Sequence, residues 1–146
     1  MKTFLADTNV LIALLWPTHT RHSVVVKWFN RHRSRGWATC PVTQLGFVRV
    51  VSNPAFSRDA VTPAEAMSLL AGNTSATDHV FWPDELSFEQ AVTFAGNRLV
   101  GHQQVTDAYL AALAMHRGGV LATLDEAIIA LTEPKSPERK AIELIA

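Results

Sequence analysis

A chain of 146 residues, 48% hydrophobic and 18% charged, has enough apolar surface to fold as one domain spanning residues 1–146 and is too apolar to be a disordered segment. Its single cysteine, Cys40, excludes an internal disulfide and a thiolate metal cluster, and suits a reducing, cytoplasmic setting. Net charge is zero, but the halves differ: residues 1–60 hold eight Lys/Arg and two Asp/Glu (+6), residues 61–146 five and eleven (−6), which suits a polyanionic partner for the basic part and equally two solvated faces or two surfaces that meet in an oligomer.

Lys2 followed by an apolar run has the look of a secretory signal, but Asp7 and Asn9 interrupt the run and Pro17 ends it. No apolar stretch approaches the roughly 20 residues of a membrane span, so no membrane association is expected. The run Thr3–Ala6 reads instead as a buried strand that stops on Asp7, with a helix over residues 8–16 behind it. A second helix is expected from His19 to Ser34, its apolar face made by Val24, Val25, Trp28 and Phe29. Its end carries Arg31, Arg33 and Arg35, which read as a solvated terminus favoured by the helix dipole or, alternatively, as a phosphate-contacting patch. Gly36 closes it.

Trp37–Cys40 is a second strand, and Pro41 opens a helix to Val51 on which Gln44, Phe47, Val48 and Val51 share one face; Gln44 is the polar exception. Thr62, Pro63 and Glu65 form a cap, a first-turn proline and a capping box for a helix that is expected to run to about Ala71. His79–Trp82 is a third strand, followed by a helix from about Ser87 to Asn97. After a loop at residues 99–104, Thr106 and Asp107 open a helix ending at Gly118-Gly119. Val120–Thr123 is a fourth strand, finishing in Leu124-Asp125 with a helix at residues 126–131 behind it. A loop containing Pro134 and Pro137 leads to a last edge strand at residues 141–145. Strands alternating with helices imply a three-layer α/β/α fold on a mainly parallel sheet of about five strands.

On such a sheet Asp7 and Asp125 fall at the same carboxyl edge, and the helix that Asp107 opens begins on that side too. Each aspartate alone is explained as a helix cap; three on one edge make an acidic site. Like charges so placed resist ionisation without a cation. Oxygen ligands with no neighbouring His or Cys suit Mg²⁺, or Mn²⁺ as its substitute, and an open site of that kind suits phosphodiester hydrolysis by an activated water.

The segments Leu5-Ala6-Asp7-Thr8-Asn9-Val10-Leu11, Cys40 to Arg49, Val105 to Leu110 and Ala122-Thr123-Leu124-Asp125 together resemble the PIN-domain family, and within it the VapC-type toxins of type II toxin–antitoxin (VapBC) systems. The resemblance covers nearly the whole chain. It implies a Mg²⁺-dependent endoribonuclease, homodimeric, acting on RNA and held inactive by a cognate antitoxin laid over its groove. It also implies that Asp7, Asp107 and Asp125 are catalytic residues and metal ligands, with Thr8, Asn9 and Thr123 as their companions.

Gln44 is a departure: the family usually has glutamate there. An amide keeps the shape and one oxygen but cannot act as a base near neutral pH. Gln44 is therefore expected at the catalytic site with reduced metal affinity, slower chemistry, or compensation by Asp84 or Glu126. A PIN module that grips RNA or antitoxin without cutting is the alternative. A receiver-type phosphoryl-transfer protein is disfavoured because no lysine stands near a late strand end, and a dinucleotide-binding enzyme because no glycine-rich turn follows the first strand. Arg49 and Arg98 are candidate phosphate contacts. His22, His32, His79, His102 and His116 show no ligand spacing, and Trp16, Trp28, Trp37 and Trp82 border core elements.

Overall fold

The computed structural model describes all 146 residues. Five strands, β1 (Phe4–Ala6), β2 (Trp37–Thr39), β3 (His79–Phe81), β4 (Val120–Thr123) and β5 (Ile142–Leu144), form one sheet in the order β3-β2-β1-β4-β5, with every pair parallel. The helices are α1 (Thr8–Leu15), α2 (His22–His32), α3 (Pro41–Val51), α4 (Pro63–Thr74), α5 (Phe88–Val92), α6 (Gln104–His116) and the short α7 (Pro137–Lys140).

Successive strand residues point to opposite faces, and the core divides accordingly. Phe4, Ala6, Trp37, Val120 and Ala122 pack with α1 to α4 on one side. Leu5, Ala38 and Leu121 pack with α5 and α6 on the other, where α6 buries an unbroken run from Ala108 to Ala114. The sheet thus has helices on both faces, as the alternation of elements predicts. Strand order runs outward one way from β1 to β3 and restarts on the far side of β1 with β4. The carboxyl ends of β1 and β4 therefore flank a topological switch point, where open α/β sheets bind ligands.

Most boundaries agree with the pattern, and the departures have local causes. The second helix begins three residues later than expected, at His22, because residues 17–21 form turns, and its end tightens into a 3₁₀ turn at Arg33–Arg35. The helix α4 continues through Gly72 to Thr74, where the Asn73 and Ser75 side chains bond back to backbone carbonyls one turn earlier. The helix expected to Asn97 stops at Val92 and continues as a 3₁₀ stretch broken by Gly96 at φ +51°, a conformation glycine adopts at little cost. Residues 126–131 are likewise 3₁₀, not α, and Ser136 caps a short helix inside the loop expected there.

Of the basic run, Arg31 stays exposed at the helix end, its Nε donating to the Lys27 carbonyl (3.4 Å), whereas Arg33 and Arg35 are held by acids. Arg33 forks onto Asp78 (2.7 and 3.4 Å), whose carboxylate also accepts from the Trp37 indole (2.9 Å). The Arg35 side chain is only 6% exposed, bidentate on Glu143 (3.1 and 3.0 Å) and set over the Phe4 ring. Both arginines lie where β2 begins, at the amino edge of the sheet. All four tryptophans are buried, as packing residues should be.

Candidate active site

Asp7 follows β1 directly. Its N–H still donates to Ala122 of β4 (3.0 Å), and its carbonyl accepts the first bond of α1, from Leu11 (3.0 Å). The side chain is 5% exposed and fully engaged: Oδ1 accepts from the Thr8 N–H (2.8 Å) and Oδ2 from the Thr123 hydroxyl (2.7 Å). So Asp7 does cap α1, and it also stands at the switch point. Thr123 ends β4 and has a second role, accepting the Asp125 N–H (3.1 Å). Asp125 Oδ1 accepts from the Ala127 N–H (2.9 Å), capping the 3₁₀ turn behind it. One threonine hydroxyl thereby joins the two acidic strand ends.

Asp107, half-buried in the first turn of α6, completes the group. Burial, then the charges of Asp7 and Asp125, push its carboxyl up to about 7. Asp7 is also raised, by burial first and in lesser part by Asp125, against the opposing bonds from Thr123 and Thr8. The structure thus brings together the three aspartates that the sequence places on one edge, with Asp7 and Asp125 close enough to disfavour ionisation of Asp107. They do not close into a cage of three or more ligands; the cluster is an open acidic patch. An open carboxylate set fits Mg²⁺ or Mn²⁺, hard cations that keep several waters and use one or two protein carboxylates.

Gln44 stands apart from the three. Its amide nitrogen donates to the Thr39 hydroxyl (2.9 Å), which lies 2.8 Å from His79 Nε2. The His79 ring also bonds the Thr74 backbone, and burial lowers its pKa. Gln44 therefore sits at the end of β2, tied to the β3 edge, and lines a groove of about 550 Å³ between α3 and α4. It has no hydrogen bond to Asp7, Asp107 or Asp125. The helix is held against the acidic edge two residues later: Gly46 packs on Thr8 so closely that a Cβ there would lie 2.8 Å from the Thr8 hydroxyl. Neither Asp84 nor Glu126 is among the charges that shift Asp7 or Asp107. Arg98 is paired with Glu133 (3.2 Å), whereas Arg49 is exposed beside Gln44 in the α3–α4 groove. Sequence reasoning misses Thr39 and His79 as partners of Gln44. A readable sign exists, since β2 and β4, which flank β1, both end on threonine.

The acidic edge has a measurable signature. Between the ordinary carboxyl value of 3.8 and about 7, folded Asp107 holds a proton that the unfolded chain has released. Its contribution to stability is whole below 3.8 and is lost as pH rises through 7. The metal-free protein is therefore expected to lose melting temperature from pH 5 to pH 8 relative to Asp107→Asn, a difference in which the opposite trends of His19 and His79 cancel. Parallel melting curves for the two proteins would contradict this placement of Asp107.

A three-layer parallel sheet with a carboxylate-lined switch point fits the PIN fold, and the PIN-domain family profile matches residues 4–134. The chain belongs to the PIN-domain family and, within it, to the VapC group. Ribonuclease VapC39 of Mycobacterium tuberculosis is 45% identical over 128 residues, 86% of this chain and 91% of that protein. Two solved structures share the fold. PAE2754 from Pyrobaculum aerophilum has a TM-score of 0.62 at 22% identity, over 99% of this chain and 84% of the other. VapBC2 from Rickettsia felis, bound to a DNA fragment from its promoter, has a TM-score of 0.58 at 13% identity, over 97% and 98%.

Proposed function

We propose that this protein is the toxin of a type II toxin–antitoxin pair: a cytoplasmic, homodimeric, Mg²⁺-dependent endoribonuclease restrained by a cognate antitoxin, the whole chain serving as its single catalytic domain. The observation that carries the reading is Asp107, a carboxyl pushed up to about 7 by burial and by the two acidic strand ends it faces. A cluster at odds with its own charge is relieved by a divalent cation. The ribonuclease name of its 45%-identical relative supports RNA as the polymer cut.

In this reading Asp7 is the fixed ligand, because Thr8 and Thr123 leave its carboxylate no freedom. Asp125 is the second, held by the 3₁₀ turn it caps. Asp107 would complete the set, releasing its proton when a cation binds. When bound, the cation would supply an activated water and offset charge on the phosphodiester during in-line attack. Gln44 keeps its amide oxygen free, since it is the nitrogen that bonds Thr39. That oxygen would accept a hydrogen bond from a water reaching it and would take no proton from it.

Calorimetric titration with Mg²⁺ and with Mn²⁺ tests the assignment. Binding is expected in the wild type and lost in Asp107→Asn, and Gln44→Glu, which restores a fourth carboxylate, is expected to tighten it by about 10-fold. Unchanged or weaker affinity in Gln44→Glu would remove residue 44 from the site. The non-cutting module remains the second reading because Gln44 is neutral; it requires RNA binding without turnover.

A further inference from the structure

A second concavity lies beside the acidic edge. A cleft of about 390 Å³ is walled by Val42 near the start of α3, Leu86 and Phe88 at the entry to α5, and Val105 of α6; Asp84, Thr106 and Tyr109 add its polar groups. Phe88 is half exposed and Val105 is 37% exposed, so apolar surface is open to solvent there. Tyr109 is only 6% exposed, and its hydroxyl is the one buried side-chain polar atom in the chain without a hydrogen-bond partner. Buried polar groups are nearly always paired, and a lone exception calls for an absent partner. Asp84 takes part in none of the chain's ion pairs.

The placement relative to the acidic cluster is informative. Val105 and Tyr109 are four residues apart and share one flank of α6. Asp107 lies around the same turn, on the flank toward Asp7. A strand crossing the start of α6 would pass from one to the other within a helix width, about 10–12 Å.

We infer that this cleft is a nucleobase subsite, taking one unstacked base of single-stranded RNA next to the phosphodiester that is cut. The inference rests on the reading of the acidic edge as an RNA-cutting site. The Phe88 ring offers a stacking face, as aromatic side chains do for splayed bases. The Tyr109 hydroxyl donates and the Asp84 carboxylate accepts. A donor and an acceptor lining one cleft match a base edge that sets an acceptor beside a donor, as every nucleobase does. Uracil does so with its ring N–H between two carbonyls, so the subsite takes a base without selecting its identity.

The test separates binding from cutting by using Asp7→Asn protein with Mn²⁺ and fluorescein-labelled oligo(A), oligo(C) and oligo(U) of equal length, read by anisotropy. Adding Tyr109→Phe is expected to weaken all three oligonucleotides about 5-fold and to keep or raise the melting temperature, because the hydroxyl removed has no partner in the free protein. Phe88→Ala is expected to weaken all three by about 10-fold. In the protein with Asp7 intact, Tyr109→Phe should raise KM for RNA and spare kcat. Unchanged binding of all three oligonucleotides after Tyr109→Phe would overturn the subsite, as would unchanged RNA affinity with altered self-association, which would make the cleft an interface between copies. If the wild type cuts RNA and Tyr109→Phe is neutral, only the subsite fails; if no RNA is bound or cut, the reading of the acidic edge fails with it.

Discussion

Asp7→Asn is expected to reduce RNA cleavage by at least about 100-fold, since the partners behind a metal ligand are by themselves worth about 10–100-fold, and to raise the melting temperature of the metal-free protein. Both effects come from one geometry. The substituted amide keeps the shape and the Thr8 N–H bond, and its nitrogen can donate to the Thr123 oxygen in place of the bond from that hydroxyl. The fold therefore loses little. What it does lose is a carboxyl that burial and Asp125 make reluctant to ionise, and with that charge gone one of the two that push Asp107 up is gone too. Activity and stability should move in opposite directions. A variant that lost both would mark Asp7 as a cap needed for the fold. Activity assays under varied Mg²⁺, with melting curves in EDTA, read both quantities from the same preparation.

The second large effect is at the opposite edge. Gly119→Ala is expected to destabilise the protein by about 3 kcal/mol, lowering the melting temperature by about 6–12 °C. A Cβ at residue 119 would lie 2.5 Å from the Thr3 carbonyl oxygen and 2.7 Å from the Trp82 ring. The ring belongs to a buried side chain and the carbonyl to backbone that also accepts the Val120 N–H (3.0 Å), so neither can yield without disturbing the β1–β4 pairing. That pairing sets Asp7 beside Asp125, so residual folded protein should also cut poorly. Thermal unfolding followed by circular dichroism measures the loss; a variant as stable as the wild type would contradict the close approach.

The carboxylate edge is readable in the sequence because two apolar runs stop abruptly on acids. A parallel sheet then has only one edge on which Asp7 and Asp125 can fall, and α6, antiparallel to β4, must begin there. The helix α3 is readable at both ends, from Pro41 and from the stripe ending at Val51. Tertiary contacts hide the rest. Arg33 and Arg35 read as a dipole-favoured or phosphate-seeking run because their partners, Asp78 and Glu143, lie 45 and 108 residues away. The 3₁₀ stretches at residues 93–98 and 126–131 carry helical periodicity, and only the backbone geometry at Gly96 and the cap at Asp125 distinguish them from α-helix. The departure at Gln44 is plain from the family pattern, but the direction of its amide is not. That depends on Thr39, which in turn lies against a histidine of β3 that pattern alone marks as ordinary.

Gln44 also makes the central claim open to a decisive result. Purified, antitoxin-free wild-type protein should be incubated with total cellular RNA in Mg²⁺, in Mn²⁺ and in EDTA. Discrete cuts with either cation and none in EDTA are the predicted outcome; they would mean that three aspartates suffice and that a neutral amide at residue 44 is tolerated. Folded protein that leaves the RNA intact under all three conditions would contradict the account and leave a PIN module that binds without cutting.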